Sequence, residues 1–196
     1  MLMPMCRAFR TLSAALLLGG ALAVSVGCAA SRPGTESPVA GGWAAAATQV
    51  IPGVPFLPQE EDSCGPSSLA MLLRLHGIPA TTRGLIEETR IPGLRGTLIT
   101  DLAAAARSRG LAAQVTNLDL EGLRRRIAAG EPVILLIDLG VWAWSRPHYL
   151  LVYGVKPKGV VAHSGRTQGM IIPYATLLRQ WEKMGRLAIV APVEAK

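Results

Sequence analysis

Cysteine is scarce in this chain. There are three among 196 residues, Cys6, Cys28 and Cys64. No two form a C-x-x-C pair, which excludes an all-cysteine zinc site, and three are too few for a disulfide scaffold. Aromatic residues make up only 5% of the chain, which argues against an aromatic-rich RNA-binding sheet. Histidine is equally sparse, with His76, His148 and His163 lacking any paired acidic motif. No metal site and no organic cofactor are therefore expected. Acidic residues are the minority, 13 against 20 basic ones, for a net charge of +7. The basic residues are scattered apart from one run, Arg124-Arg125-Arg126, which falls on an expected helix and reads as a solvated face. No nucleic-acid partner is expected.

What the chain does have is apolar residues, half of the total, with 17% charged. That balance suits a packed core and excludes disorder of the whole chain. Residues 1–27 read as a signal segment: Arg7 and Arg10 precede a charge-free stretch from Leu12 to Val26. Ser25-Val26-Gly27-Cys28 resembles the lipobox of bacterial lipoproteins, although Ser25 stands where leucine is usual. The resemblance implies cleavage before Cys28 and lipid on that cysteine. Ala29 is not the aspartate that retains such proteins in the inner membrane, so the implied location is the outer membrane, facing the periplasm. An ordinary signal cut near Ala29-Ala30 and an uncleaved anchor are the alternatives. Residues 28–49, rich in Ala, Gly, Pro and Ser, read as a lipidated cysteine and tether. Residues 50–196 are enough for one domain.

Within that domain the periodicity predicts helices at Ser63–Leu75, Arg83–Arg90, Leu98–Ser108 (capped by Thr97), Leu120–Ala129 and Tyr174–Met184. Glycines stop several of them. Strands are expected at Leu111–Thr116, Pro132–Leu139, His148–Val155, Val160–Ala162 and Leu187–Ala191. Helices come first and strands mostly after, so the class is α+β. Trp142 and Trp144 alternate along a supposedly extended segment and would share a face, lining a cleft or packing in the core.

Cys64 is the only cysteine of this domain and opens a helix, where unpaired backbone N–H groups and the dipole lower a thiol's pKa. Catalysis, a small buried apolar role and an intermolecular disulfide all remain open for it. Gln59, five residues earlier, could donate to an oxyanion beside the nucleophile, or be a plain surface residue. His148 begins an apolar strand, where a general base or a structural histidine would both fit. His76 reads as a helix C-cap.

Together Pro55-Phe56-Leu57-Pro58-Gln59, Cys64-Gly65-Pro66-Ser67-Ser68-Leu69-Ala70-Met71-Leu72-Leu73 and His148-Tyr149-Leu150-Leu151-Val152-Tyr153-Gly154 resemble the bacteriocin-leader (double-glycine) cysteine peptidases. His163-Ser164-Gly165 and the lipobox are closer to free-standing lipoprotein members. The resemblance implies a papain-like fold, with Cys64 on a helix start packed against an antiparallel sheet carrying His148. It implies a peptide or protein substrate, a Cys64–His148 dyad and Gln59 as oxyanion donor. One departure stands out. Where the family carries an Asp-Pro pair behind the histidine, this chain has His163-Ser164. His163 is the expected orienting residue, with Asp138 as a substitute. An inactive peptide-binding module and an acyl transferase using the same dyad are the rival readings.

Overall fold

The computed structural model describes residues 48–60, 62–91, 93 and 96–192. The signal segment, the lipobox cysteine Cys28 and almost all of the tether lie outside the described residues. The elements are β1 (Gln49–Val50), α1 (Cys64–Leu75), α2 (Thr82–Thr89), α3 (Ile99–Arg107), β2 (Gln114–Asn117), α4 (Leu120–Ala128), β3 (Val133–Asp138), β4 (Pro147–Lys156), β5 (Gly159–Ser164), β6 (Thr167–Pro173), α5 (Tyr174–Glu182) and β7 (Leu187–Val190). The α+β expectation holds. All strand pairs are antiparallel, in the order β2-β7-β3-β4-β5-β6, with β1 pairing the end of β4 that β3 leaves uncovered.

Antiparallel sheets often leave one face to water. This one is covered on both. On β3, Ile134 and Leu136 join a core built from α1, α2 and α3. Val133, Leu135 and Ile137 join a second core with Leu123 and Ile127 of α4 and Leu177 and Trp181 of α5. The uninterrupted run Val-Ile-Leu-Leu-Ile is the sequence trace of that double burial. Each fully buried leucine contributes about 1.5–3 kcal/mol relative to an exposed one, and none of the five residues is more than 6% exposed.

Helix α1 is buried from Gly65 to Leu73, on all sides rather than along one stripe. Its start is pressed against β4 and α3: a Cβ on Gly65 would lie 2.8 Å from the Leu102 side chain and 3.1 Å from the Tyr149 ring. Glycine after Cys64 is therefore a packing requirement. Two local expectations change. Leu98, not Thr97, occupies the N-cap of α3, without a side-chain cap bond. Thr97 instead gives its carbonyl to the Tyr149 hydroxyl at 3.0 Å. The edge strand β6 was not expected from its mixed Thr-Gln-Gly-Met sequence.

Candidate active site

The site forms where α1 begins against the start of β4. Burial pushes the Cys64 thiol above its ordinary value, against the pull of hydrogen bonds from the Tyr149, Gly65 and Cys64 backbone amides. The Asp62 carboxylate also pushes it up, while Asp62 itself lies 3.6 Å from the Arg90 guanidinium. The Tyr149 amide belongs to the residue after His148. Cys64 and Tyr149 line one cavity, which brings the thiol near the strand start on which His148 stands.

His148 Nε2 and Ser164 Oγ are 2.9 Å apart. Burial, helped by the Arg146 charge, pulls the His148 imidazole down to about 4. The ring is thus neutral at neutral pH. If its Nε2–H donates to Ser164, Nδ1 carries the lone pair that can take a proton. A carboxylate could only accept this bond and would hold the imidazolium; a hydroxyl accepts or donates and supplies no charge.

Gln59 is 6% exposed. Its Oε1 accepts from the Gly165 N–H at 3.0 Å, and its own N–H donates to the Gly165 carbonyl at 3.0 Å. That bond to Oε1 fixes which way the amide points. The other end, Nε2, is a buried donor with no partner among the described residues. Leaving such a group unsatisfied costs about 1–3 kcal/mol. Two of the groups are tied through neighbours in sequence, Gln59 to Gly165 and His148 to Ser164, while Cys64 lines a cavity with Tyr149, the residue after His148.

His163 is elsewhere, which corrects the expectation that it orients His148. It is 1% exposed. Its Nδ1 accepts from the Gly169 N–H at 3.2 Å, and its Nε2 donates to the Val54 carbonyl at 3.3 Å. Its ring packs on Tyr153 and Phe56 at centroid distances of 4.4 and 5.2 Å. Adjacent strand residues point to opposite sides, so Ser164 takes the place given to its neighbour. Asp138 is not the substitute either. Its Oδ1 accepts from the Gly140 and Arg146 N–H groups, both at 2.7 Å, closing the loop ahead of β4. Ser164 and the Tyr149 amide were missed. For Ser164 the sequence offers two adjacent polar residues at the end of β5 and nothing to choose between them; a backbone amide leaves no signal.

Beside the thiol lies a largely apolar cavity of about 470 Å³. Leu98, Ile99, Leu136, Tyr149 and Met184 line it with Cys64. Among the described residues no group of three His, Cys, Asp or Glu side chains could hold a metal.

A mixed frame of helices and antiparallel sheet, with Cys64 opening a helix and His148 at the head of a strand, is the papain-like peptidase fold. The model of the peptidase C39 family matches residues 55–193, and the chain belongs to that family. It is similar to a C39-like peptidase from Bacillus anthracis, at 20% identity and a TM-score of 0.64, over 77% of this chain and 100% of that one. It is also similar to the peptidase domain of Streptococcus ComA, a bi-functional ABC transporter involved in quorum sensing, at 21% identity and 0.60, over 71% and 99%. A double glycine motif protease from an AMS/PCAT transporter, solved in complex with the leader peptide, matches at 22% identity and 0.57, over 76% and 100%. No curated protein sequence is similar enough to count as a relative.

Proposed function

We propose that the chain is a lipid-anchored cysteine peptidase of the outer membrane, facing the periplasm, which hydrolyses peptide bonds with Cys64 and His148. The observation that carries this reading is the cavity shared by Cys64 and Tyr149, the residue after His148, with Gln59 and Ser164 tied in through Gly165 and His148. His148 Nδ1 removes the thiol proton as sulfur attacks the scissile carbonyl. The oxyanion forms against Gln59 Nε2–H and the Cys64 backbone N–H. His148 then returns the proton to the leaving amine as the C–N bond breaks, and water hydrolyses the thioester by the same exchange in reverse. Ser164 positions the imidazole. A polypeptide substrate agrees with the leader peptide bound by the transporter protease.

The anchor rests on the Ser25-Val26-Gly27-Cys28 pattern. Cys28→Ala should release the protein from the membrane fraction or block signal cleavage; unchanged fractionation with normal processing would count against it. Catalysis is tested by incubating the full chain with a broad peptide library and reading products by mass spectrometry, with Cys64→Ala as control. One observation favours a second reading, a non-cleaving peptide-binding module: a hydroxyl stands where the family places a carboxylate. Wild type that binds library peptides but cuts none, with a thiol no faster to alkylate than in the denatured chain, would establish it.

A further inference from the structure

The loop between β3 and β4 holds three apolar side chains out in solvent. Trp142 is 101% exposed, Trp144 82% and Val141 70%. The loop is nonetheless built. The Asp138 carboxylate ties its two ends together through the Gly140 and Arg146 amides. The Trp144 N–H bonds the Val141 carbonyl at 3.1 Å, closing a tight turn. Trp142 takes a left-handed φ of 56°, rare for a bulky side chain. Gly140 is compulsory, because a Cβ there would sit 1.8 Å from the Trp144 carbonyl oxygen. Strain and a buried carboxylate hold two indoles out in solvent. This overturns the expectation that they alternate on an extended strand and pack in the core or cleft.

We infer that this loop is a membrane-contacting tip: Trp142, Trp144 and Val141 enter the headgroup region of a bilayer and set the Cys64 cleft against its surface. Three observations select lipid over the other occupants. Neither tryptophan lines the cavity beside Cys64, although the loop leads directly into Pro147 and His148, so the indoles are not part of that cavity's wall. The base of the loop is cationic. Arg146 is exposed, and Lys183 Nζ donates to the Gly140 carbonyl at 3.1 Å. Exposed indoles above Lys and Arg are the chemistry that seats proteins at anionic membrane interfaces. Finally, the length of chain outside the described part permits it. Cys28 and Gln49 are 21 positions apart, at most roughly 70 Å of extended chain. The loop lies at the opposite end of β4 from its pairing with β1, eight residues from Val155, about 26 Å along a strand. An anchor at Cys28 therefore leaves this end free to turn to the bilayer. The inference draws on the proposed anchor for proximity but stands on the loop itself.

The test uses the mature full chain and the variant Trp142→Asn with Trp144→Ser, in which asparagine tolerates the left-handed backbone. Each is mixed with vesicles of phosphatidylethanolamine and phosphatidylglycerol carrying brominated acyl chains, and indole emission and flotation are read. Trp181 is fully buried and Trp43 is common to both proteins, so the difference isolates the loop. Wild-type emission should be quenched roughly twofold more than the variant's, with equal Tm. Equal quenching in both proteins overturns the inference. Flotation lost on Cys28→Ala with loop quenching absent would sink the tip and keep the anchor; loop quenching without acylation would do the reverse. A raised KM for soluble peptides in the variant, without vesicle quenching, would assign the loop to substrate. Concentration-dependent self-association lost in the variant, again without quenching, would assign it to a second copy.

Discussion

Two histidines stand one strand apart and lead different lives. His163 uses both ring nitrogens, one on the Gly169 amide and one on the Val54 carbonyl, and is sealed by Phe56 and Tyr153. Its tautomer is fixed and nothing is left to exchange with a substrate. His148 makes one hydrogen bond among the described residues, through Nε2 to Ser164, and stands beside Tyr149, which lines one cavity with Cys64. Both rings are pulled toward the neutral form by burial. The difference that matters is free valence. A saturated histidine fastens the β5–β6 hairpin to the Val54 segment, whereas a half-satisfied one can move a proton.

The largest effect that can break this contrast is loss of the nucleophile. Cys64→Ala should lower peptide turnover roughly ten-thousandfold or more, His148→Ala nearly as much, and the double variant scarcely further, because a unit fails once. Multiplicative losses in kcat would separate the two residues. Next comes the unpartnered donor. Gln59→Ala should cost about 10²–10³ in kcat with little change in KM. Gln59→Glu keeps an acceptor for the Gly165 amide but loses the donor, and should fare no better.

Smaller, and more specific, is the exchange of hydroxyl for carboxylate. Ser164→Ala should lower turnover by roughly tenfold. Ser164→Asp should raise the His148 pKa from about 4, and a longer-lived imidazolium should hold the thiolate. Alkylation of wild-type Cys64 should then climb once, with a midpoint above the ordinary thiol value of 9.0. Ser164→Asp should add a reactive shoulder on the acid side. Superimposable curves would remove Ser164 from the site.

The smallest effect is on stability. His148 titrates at about 4 when folded against 6.5 ordinarily, so between those values the unfolded chain binds more protons. Stability should fall as pH drops through 6.5 and level off below about 4. Tm measured across that window should lose part of its slope in His148→Gln; an unchanged slope would place the titration elsewhere.

The settings of Cys64, Gln59 and His148 were legible because each sits at a boundary that local chemistry marks: a helix start, a proline-punctuated approach and the head of an apolar strand. The double burial of β3 was legible in its continuous apolar run. Ser164 was not, because the choice between it and His163 turns on one residue of register, and the β5–β6 pairing slips between Ala162 and Ser164. The strand β6 was hidden by Gly169 and its exposed polar residues, which no core selects. Trp142 and Trp144 misled for a related reason. Alternation reads as a strand unless a left-handed turn intervenes, and the carboxylate that makes this turn tolerable, Asp138, lies across the loop rather than within it.

The most direct test is to truncate each histidine in turn. His148→Gln and His163→Gln are assayed for kcat on one peptide substrate, at a temperature where melting curves show each protein folded. The account predicts that His148→Gln keeps a near-native Tm and loses turnover. His163→Gln should lose about 1–3 kcal/mol of stability through unsatisfied buried groups and keep its turnover per folded molecule. Retained activity in His148→Gln, or equal loss of kcat in both, would contradict it.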